Sequence, residues 1–453
     1  MEIILSNNLL LPDIPSGLYR DLTENLTCLN PRWLENNRMG RWNRNTKKEL
    51  KFYEKTGKSG LRLPRGYIRE LITRCRHQEI PCEIDDRRRS FPALNIEFTG
   101  KLKPFQAEAA DAMLSREFGV LSAPTGSGKT IIALYLMAKR KQPSLIVVHT
   151  RELAFQWIDR ISTFLEIPSE KIGFIGGGKR SIGEKVTVAL VQSLYKCAEE
   201  VSAQIGHIIV DESHRCPSRT FTEAVSEFDS RYMLGLTATP FRRDKLSKLI
   251  FWYLGDLHHQ VNKNRLVQNG DILKADVIKR ETGFKTGFDP ISQYSRMLSE
   301  LTTDKDRNIL IASDIKNESL KTPGILLILS DRKAHCENLK AILRYRFKVD
   351  SEVLTGDIPI EKRKNILEKL RSGEIKILIA TGQLIGEGFD CPNLSTLFLA
   401  TPIKFSGRLL QYIGRVLRPA PGKKNARIFD YIDVNIDVLK IAAKARQKTY
   451  DKG

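Results

Sequence analysis

The residues Ala123-Pro124-Thr125-Gly126-Ser127-Gly128-Lys129-Thr130 join an apolar run, GVLSA (119–123), to a stretch of helical spacing, Thr130–Lys141. A strand feeding a glycine-rich turn that opens a helix admits few architectures, because the strand needs a sheet and the helix must return across its face. The chemistry of the turn is equally restricted. Its backbone N–H groups and the helix N-terminus can wrap phosphates, Lys129 can reach β and γ oxygens, and Thr130 can offer a hydroxyl to magnesium. Ala123 fills a first position that is usually glycine, and a small residue fits there. All eight residues are expected to bind a nucleoside triphosphate.

Short apolar runs recur on either side of amphipathic stretches from about residue 96: SLIVVH (144–149), VTVALV (186–191), HIIVD (207–211) and MLGLTA (233–238), with Glu152–Phe164 of helical spacing. A second series follows, GILLILS (324–330), SEVLTG (351–356), IKILIAT (375–381), STLFLA (395–400) and ARIFDYI (426–432), with helical stretches at 331–346 and 359–371. Fully apolar strands alternating with helices imply parallel sheets covered on both faces. The fold class is therefore α/β, with two such domains in tandem. At about 150 residues per domain, 453 residues leave room for a further module. The expected limits are 1–95 for an accessory domain, 96–245 and 306–453 for the α/β domains, and 246–305 for a linker or insertion.

Lys and Arg number 74 against 53 Asp and Glu, a net charge of +21 that favours a polyanionic partner. From Arg32 to Arg76 there are fourteen Lys/Arg against four Asp/Glu, a local +10, interleaved with Trp33, Trp42, Phe52, Tyr53 and Tyr67. Rings among cations suit nucleic acid, by stacking on bases or lying beneath phosphate-binding groups, and they equally suit the core of a small domain. No apolar run reaches the roughly 18 residues a membrane helix needs. The first residues lack the pattern of a signal peptide, so a cytoplasmic protein without membrane contact is expected. The seven cysteines include no C-x-x-C pair, which supports neither a disulfide framework nor zinc.

Further motifs extend the nucleotide site. HIIVD runs into Asp211-Glu212-Ser213-His214. Carboxylates at the carboxyl end of a parallel strand lie where magnesium and an attacking water belong, so Asp211 is assigned to the metal and Glu212 to the nucleophile, with His214 beside them. Gln106 stands 23 residues before Lys129, and its amide suits the paired donor and acceptor of adenine. Thr237 and Thr239, in Leu236-Thr-Ala-Thr-Pro240, are placed to link the acidic site to the second domain. Arg415 and Arg418, in Gln411-Tyr-Ile-Gly-Arg-Val-Leu-Arg418, stand three apart on an expected helix and suit the stabilisation of transferring phosphate, which requires the domains to close.

APTGSGKT, DESH, LTATP, ATGQLIGEGFD (380–390) and QYIGRVLR, in this order, resemble the motor core of superfamily 2 helicases over about 96–440. The D-E-x-H form and the LKPFQ segment resemble XPB-type repair helicases, restriction-enzyme translocase subunits and phage branch-migration helicases. Small size and a basic N-terminal domain are most similar to the phage type, whose setting is the host cytoplasm. The resemblance implies two RecA-like domains with Mg2+–ATP between them. It implies nucleic-acid backbone contacts at His149, Thr150, Arg151, Gly177, Gly178, Gln192 and Ser193, and at Thr355, Gly356 and Thr381. It implies nucleotide contacts at Gly388, Asp390 and Gln411. Arg243, in Phe241-Arg-Arg-Asp244, departs from the Arg-Glu-Asp of the XPB type and puts the strand-separating role of that tripeptide in question. Phe251-Trp252-Tyr253 suits either a wedge between strands or core packing, and packing is expected.

The expected activity is ATP-dependent remodelling of branched or forked DNA, indifferent to sequence, in recombination, repair or replication and alongside proteins of those processes. A monomer suffices for it. The alternatives are an RNA helicase, the translocase subunit of a restriction complex, and an ATP-gated DNA clamp that does not unwind.

Overall fold

The computed structural model describes residues 1–215, 219–238, 246–382, 391, 393–403, 406–421, 423 and 426–452. The chain divides into two compact units, Met1–Ala123 with Gly128–Val261, and Pro124–Ser127 with Asn262–Gly453. Among the described residues no helix is long and apolar enough to cross a membrane.

The first unit holds an eight-stranded sheet in the order Lys179–Arg180, Gly173–Gly176, Val186–Leu190, Ser144–Val148, His207–Val210, Tyr232–Thr237, Phe118–Ser122, Leu257–Gln260. Every pairing is parallel except that of the short Lys179–Arg180 edge. The central strands are buried end to end, which is why they read as unbroken apolar runs. The second unit holds a six-stranded, wholly parallel sheet in the order Ala275–Thr282, Ala426–Asp433, Leu394–Leu399, Ile325–Ser330, Ile377–Thr381, Glu352–Leu354. The α/β expectation holds in both, with strand ends within two residues of the apolar runs. Segment 246–305 differs from the linker expected there: Leu257–Gln260 completes the first sheet and Ala275–Thr282 forms an edge of the second.

The N-terminal residues build a smaller mixed sheet in the order Glu54–Thr56, Gly60–Pro64, Asn8–Leu11, Glu2–Leu5, Glu83–Asp86. Alternate residues, Ile3 and Leu5, Leu9 and Leu11, Leu61 and Leu63, point into one core with Leu18, Leu22, Tyr67 and Leu71. That core is completed by Leu249 and Trp252 from the helix Lys248–Leu254. Trp252 meets Phe52 tilted at 5.6 Å and Tyr67 edge-on at 6.0 Å, so it supplies packing for the N-terminal module, while its neighbour Phe251 packs against the core of the large sheet. Gly66 comes so near the Phe251 carbonyl that a Cβ would stand 2.2 Å from it, and only glycine permits the approach. Buried Arg65 donates to Ser230 O at 2.8 Å, and Arg89 pairs with Asp229. The small sheet is thus fastened to the large one within a single unit.

The interleaved aromatics of 32–76 separate into two groups. Tyr67 is core, and Phe52 and Tyr53 pack against it. Trp42 is 85% exposed, and Trp33 lies under the Lys48 ammonium at 5.6 Å.

Candidate nucleotide and nucleic-acid sites

Strands 118–122, 232–237 and 207–210 are neighbours in that order, so their carboxyl ends set the glycine-rich turn, Thr237 and Asp211 along one edge. Ala123 N donates to Thr237 O at 2.9 Å and fixes the turn's first residue to the central strand. Gly126 and Gly128 take φ of +88° and +82°, left-handed values that let the chain reverse into the helix Lys129–Arg140. At Gly128 a Cβ would also lie 2.4 Å from Gln106 Nε2, so the glycine brings Gln106 against the turn. Gln106 Oε1 accepts from Lys103 N at 2.9 Å and caps its own helix, Pro104–Leu114, and in this arrangement the oxygen serves the backbone rather than facing outward. Lys129 Nζ donates to Ala123 O at 3.0 Å, folded back along the turn. Ser127 closes the turn onto Pro124 O at 2.7 Å. Thr130 is half-buried in the first turn of the helix.

Asp211 is buried at the end of its strand. Its Oδ1 accepts from Glu212 N at 2.9 Å, and its Oδ2 accepts from the indole Nε1–H of Trp157, also at 2.9 Å. Burial pushes the Asp211 carboxyl above the usual carboxylate range and adjacent Glu212 adds to the rise, while the Trp157 N–H and the Lys129 charge oppose it. A carboxylate so placed gains from a cation, and the hydroxyl of Thr130 with the oxygens of a bound triphosphate would complete the oxygen set magnesium takes. The residues fit the ion. Glu212 occupies the left-handed region at φ +52°, a strained choice for a non-glycine residue. Its Oε2 stands 3.2 Å from His214 Nδ1, which lies 3.4 Å from Thr237 Oγ1. Glu212, His214 and Thr237 therefore form one chain of contacts between two strand ends.

The segments expected to meet a nucleic-acid backbone converge further along the same edge. Thr150 caps the helix Arg151–Leu165 by accepting from Leu153 N, and Arg151 lies 3.4 Å from the position a Cβ would take at Gly177. Gly177 and Gly178 both have positive φ. Gln192 Nε2 donates to His149 O at 3.4 Å, and Ser193 is next to it in the short helix Val191–Leu194. In the second unit, Thr355 and Thr381 follow the paired residues Leu354 and Ala380, so they stand side by side. Exposed Gly356 is held by Arg363, whose Nη2 donates to its carbonyl at 2.9 Å.

Arg415 lies in the last turn of Ser406–Val416, half-buried, and Arg418 stands two residues beyond it. The pair does not share the helical face expected of it: Pro419 disfavours α backbone at the residue before it, and the helix ends before Arg418. Lys423 Nζ donates to Val416 O and Arg418 O, closing the turn that carries Arg418. Thr239, Gly388 and Asp390, the Gln411 side chain, and Phe241-Arg242-Arg243-Asp244 lie outside the described residues. Sequence reasoning does not find Trp157, Lys423 or Arg363. An indole spaced among Ala154, Ile161 and Leu165 reads as core, and only its acceptor distinguishes it.

Comparisons with known proteins agree with this geometry. Residues 99–242 match the family described as "Type III restriction enzyme, res subunit", and residues 315–420 match "Helicase conserved C-terminal domain". A protein of Acanthamoeba polyphaga mimivirus with the provisional name ATP-dependent RNA helicase L396 is 29% identical over 381 residues, 80% of this chain and 70% of that one. "DNA 3'-5' translocase XPB2" of Sulfurisphaera tokodaii is 28% identical over 354 residues, 70% of this chain and 79% of that one. Among solved structures, "S. cerevisiae Dbp5 bound to RNA and ADP BeF3" has a TM-score of 0.55 at 16% identity over 78% of this chain and 89% of that one, a likeness of fold. With a RecA-like sheet in each unit, these two family models matched in order and relatives named as helicase and translocase, the chain is an ATP-hydrolysing helicase of superfamily 2 type.

Proposed function

We propose that this helicase is a Mg2+–ATP-driven motor that moves on DNA without regard to sequence and acts on forks or junctions. The observation that carries the reading is the shared strand edge, with Lys129, Asp211, Glu212 and Thr237 at one part and Arg151, Gly177 and Gln192 at another. Lys129 would exchange the Ala123 carbonyl for phosphate oxygens. Magnesium, held by Thr130 and Asp211, would supply positive charge to the leaving phosphates. Glu212, oriented by His214, would align the attacking water, and Arg415 and Arg418 would meet the charge that develops. Backbone contacts position a strand and carry no base information, so recognition is indifferent to sequence.

Branched DNA is favoured over plain duplex by the N-terminal module. Trp42 is exposed among exposed Arg38, Arg41, Arg44, Lys47 and Lys48, a second cationic face beside the motor in the same unit. A motor that holds one arm while drawing another needs two such surfaces. Within this reading the protein works in the cytoplasm in recombination, repair or replication. A second reading, RNA remodelling, has the mimivirus relative's name in its favour. Hydrolysis and unwinding measured on forks, four-way junctions, plain duplexes and RNA hybrids separate the two: DNA junctions should stimulate most, and greater stimulation by RNA would overturn the DNA assignment.

A further inference from the structure

Trp157 is among the largest side chains that are fully buried, 1% exposed on the inner face of the helix Arg151–Leu165 with Ala154, Ile161 and Leu165. Packing alone would be served by any ring of similar size. What the indole adds is one N–H, and it is spent on Asp211 Oδ2 at 2.9 Å. The other carboxylate oxygen is held by a backbone N–H of the same turn, so among the described residues Trp157 ties this carboxylate to a different element. That element begins with Thr150 and Arg151, and six residues of helix, about 9 Å, separate Arg151 from Trp157. The helix is fixed at its start by the Thr150 cap and ends at Glu166 with φ +52°. Arg151 itself is braced: its guanidinium lies over Phe155 at 5.8 Å, and Phe155 stacks on Phe174 at 6.0 Å.

We infer that Trp157 is a coupling residue: a strand engaged at Thr150–Arg151 moves or steadies this helix, and the indole N–H transmits that change to the orientation of the Asp211 carboxylate. The inference rests on the proposed function, since it needs nucleic acid at one end of the helix and the metal carboxylate at the other. Trp157 is a positioning residue in this scheme and touches neither substrate nor nucleotide. By linkage the coupling must also run backward, so Mg2+–nucleotide should alter nucleic-acid affinity through the same contact.

The test is Trp157→Phe, which keeps a ring and removes the donor. Affinity for a labelled DNA fork is measured by anisotropy with and without Mg2+ and a non-hydrolysable ATP analogue, and the ratio of the two affinities is the readout. A hydrogen bond to a charged group corresponds to about a tenfold effect or more, so the ratio in the variant should fall by about that factor toward one, with nucleotide-free fork affinity kept within about twofold. An RNA strand is run in parallel, so that a motor acting on RNA is still read. The Mg2+ concentration for half-maximal analogue binding should rise by a similar factor. If the variant does not fold, the indole N–H resonance of Trp157 in the wild-type protein replaces it, assigned from Trp33→Phe, Trp42→Phe and Trp252→Phe spectra. It should shift when nucleic acid is added without nucleotide. A wild type in which nucleic acid and Mg2+–nucleotide bind independently overturns the functional reading and the inference with it. A coupled wild type with an equally coupled Trp157→Phe variant, or an unmoved indole resonance, overturns the inference alone.

Discussion

The strand edge around Asp211 and the basic face around Trp42 treat polar side chains in opposite ways. At the edge each is held: Asp211 by Trp157 and a backbone N–H, Glu212 by His214, Lys129 by Ala123 O. On the face Trp42, Arg41, Arg44, Lys47 and Lys48 stand in solvent. Phosphoryl transfer depends on charges preorganised in a site that excludes water, where they need no rearrangement at the moment of reaction. Gripping a nucleic-acid backbone of any sequence depends instead on mobile cations that displace counterions. The same residue types therefore answer to geometry in one region and to ionic strength in the other.

The largest expected effect tests the first half of that contrast. Arg418→Ala should cut nucleic-acid-stimulated hydrolysis by about 10³–10⁵-fold if the guanidinium meets the developing phosphate charge, with ATP affinity changed far less. Equal losses in rate and affinity would mean ground-state binding and remove Arg418 from the transition state. Glu212→Gln keeps the side-chain shape and loses the carboxylate, and a fall of about 10²–10⁴-fold in turnover is expected with ATP still bound. For both variants fork affinity without nucleotide should be unchanged. A parallel loss there would break the division between the regions.

The second half is tested with salt. Reversing Arg41, Arg44, Lys47 and Lys48 to Glu should reduce the log–log slope of fork affinity against salt by about 4, near 0.9 for each phosphate no longer neutralised. Trp42→Ala should weaken single-stranded arms by roughly tenfold, the range for one stacked base. Basal hydrolysis and melting temperature should stay as in the wild type, since these side chains are exposed. A normal salt slope in the fourfold variant would show that the face is not a nucleic-acid grip. Deleting the whole module is the poorer experiment, because it uncovers Leu249 and Trp252 and unfastens Arg65 from Ser230 O.

What the sequence made legible follows the same physics. Strands buried on both faces appear as unbroken apolar runs, so both α/β series could be read with ends within two residues. The N-terminal strands EIIL and NLLL bury only alternate residues over four positions, too few for a period to show. Chemistry that depends on residue identity at fixed spacing was legible: the glycine-rich turn and the carboxylates after their strand. Chemistry set by tertiary position was not. Nothing local marks Trp157 as a partner of Asp211, 54 residues away, or Glu212 as left-handed. The early helix end before Arg418 was signalled by Pro419 and is a missed rule rather than a hidden one.

The last predicted effect carries the contrast into the second unit, where a held polar group should respond to pH rather than salt. His335 is 1% exposed, with Nδ1 against Ser330 Oγ at 2.9 Å and Nε2 against Asn308 Oδ1 at 2.8 Å. Asn308 Nδ2 donates to Thr302 O, which turns the amide oxygen toward the ring and makes Nε2 the protonated nitrogen of a neutral imidazole. Burial, with nearby Arg307 adding to it, pushes the His335 pKa down to about 3. The unfolded chain takes up a proton near pH 6.5 and the folded one only near 3, so stability from this site is full above 6.5. It declines as pH falls and is exhausted near 3. At pH 5 the loss is about 2 kcal/mol. His335→Gln keeps hydrogen-bonding atoms without a titrating group. Urea unfolding at pH 7.5 and 5.0 should therefore show a pH-dependent loss smaller by about that amount in the variant, whatever its stability at pH 7.5. His207, buried against Arg140 in the first unit with its pKa also lowered, should leave a residual pH dependence that His335→Gln does not remove. Raising the salt concentration should change neither difference much, whereas it should sharply weaken the grip of the basic face; a His335 contribution that faded with salt would place that ring in solvent and undo the comparison.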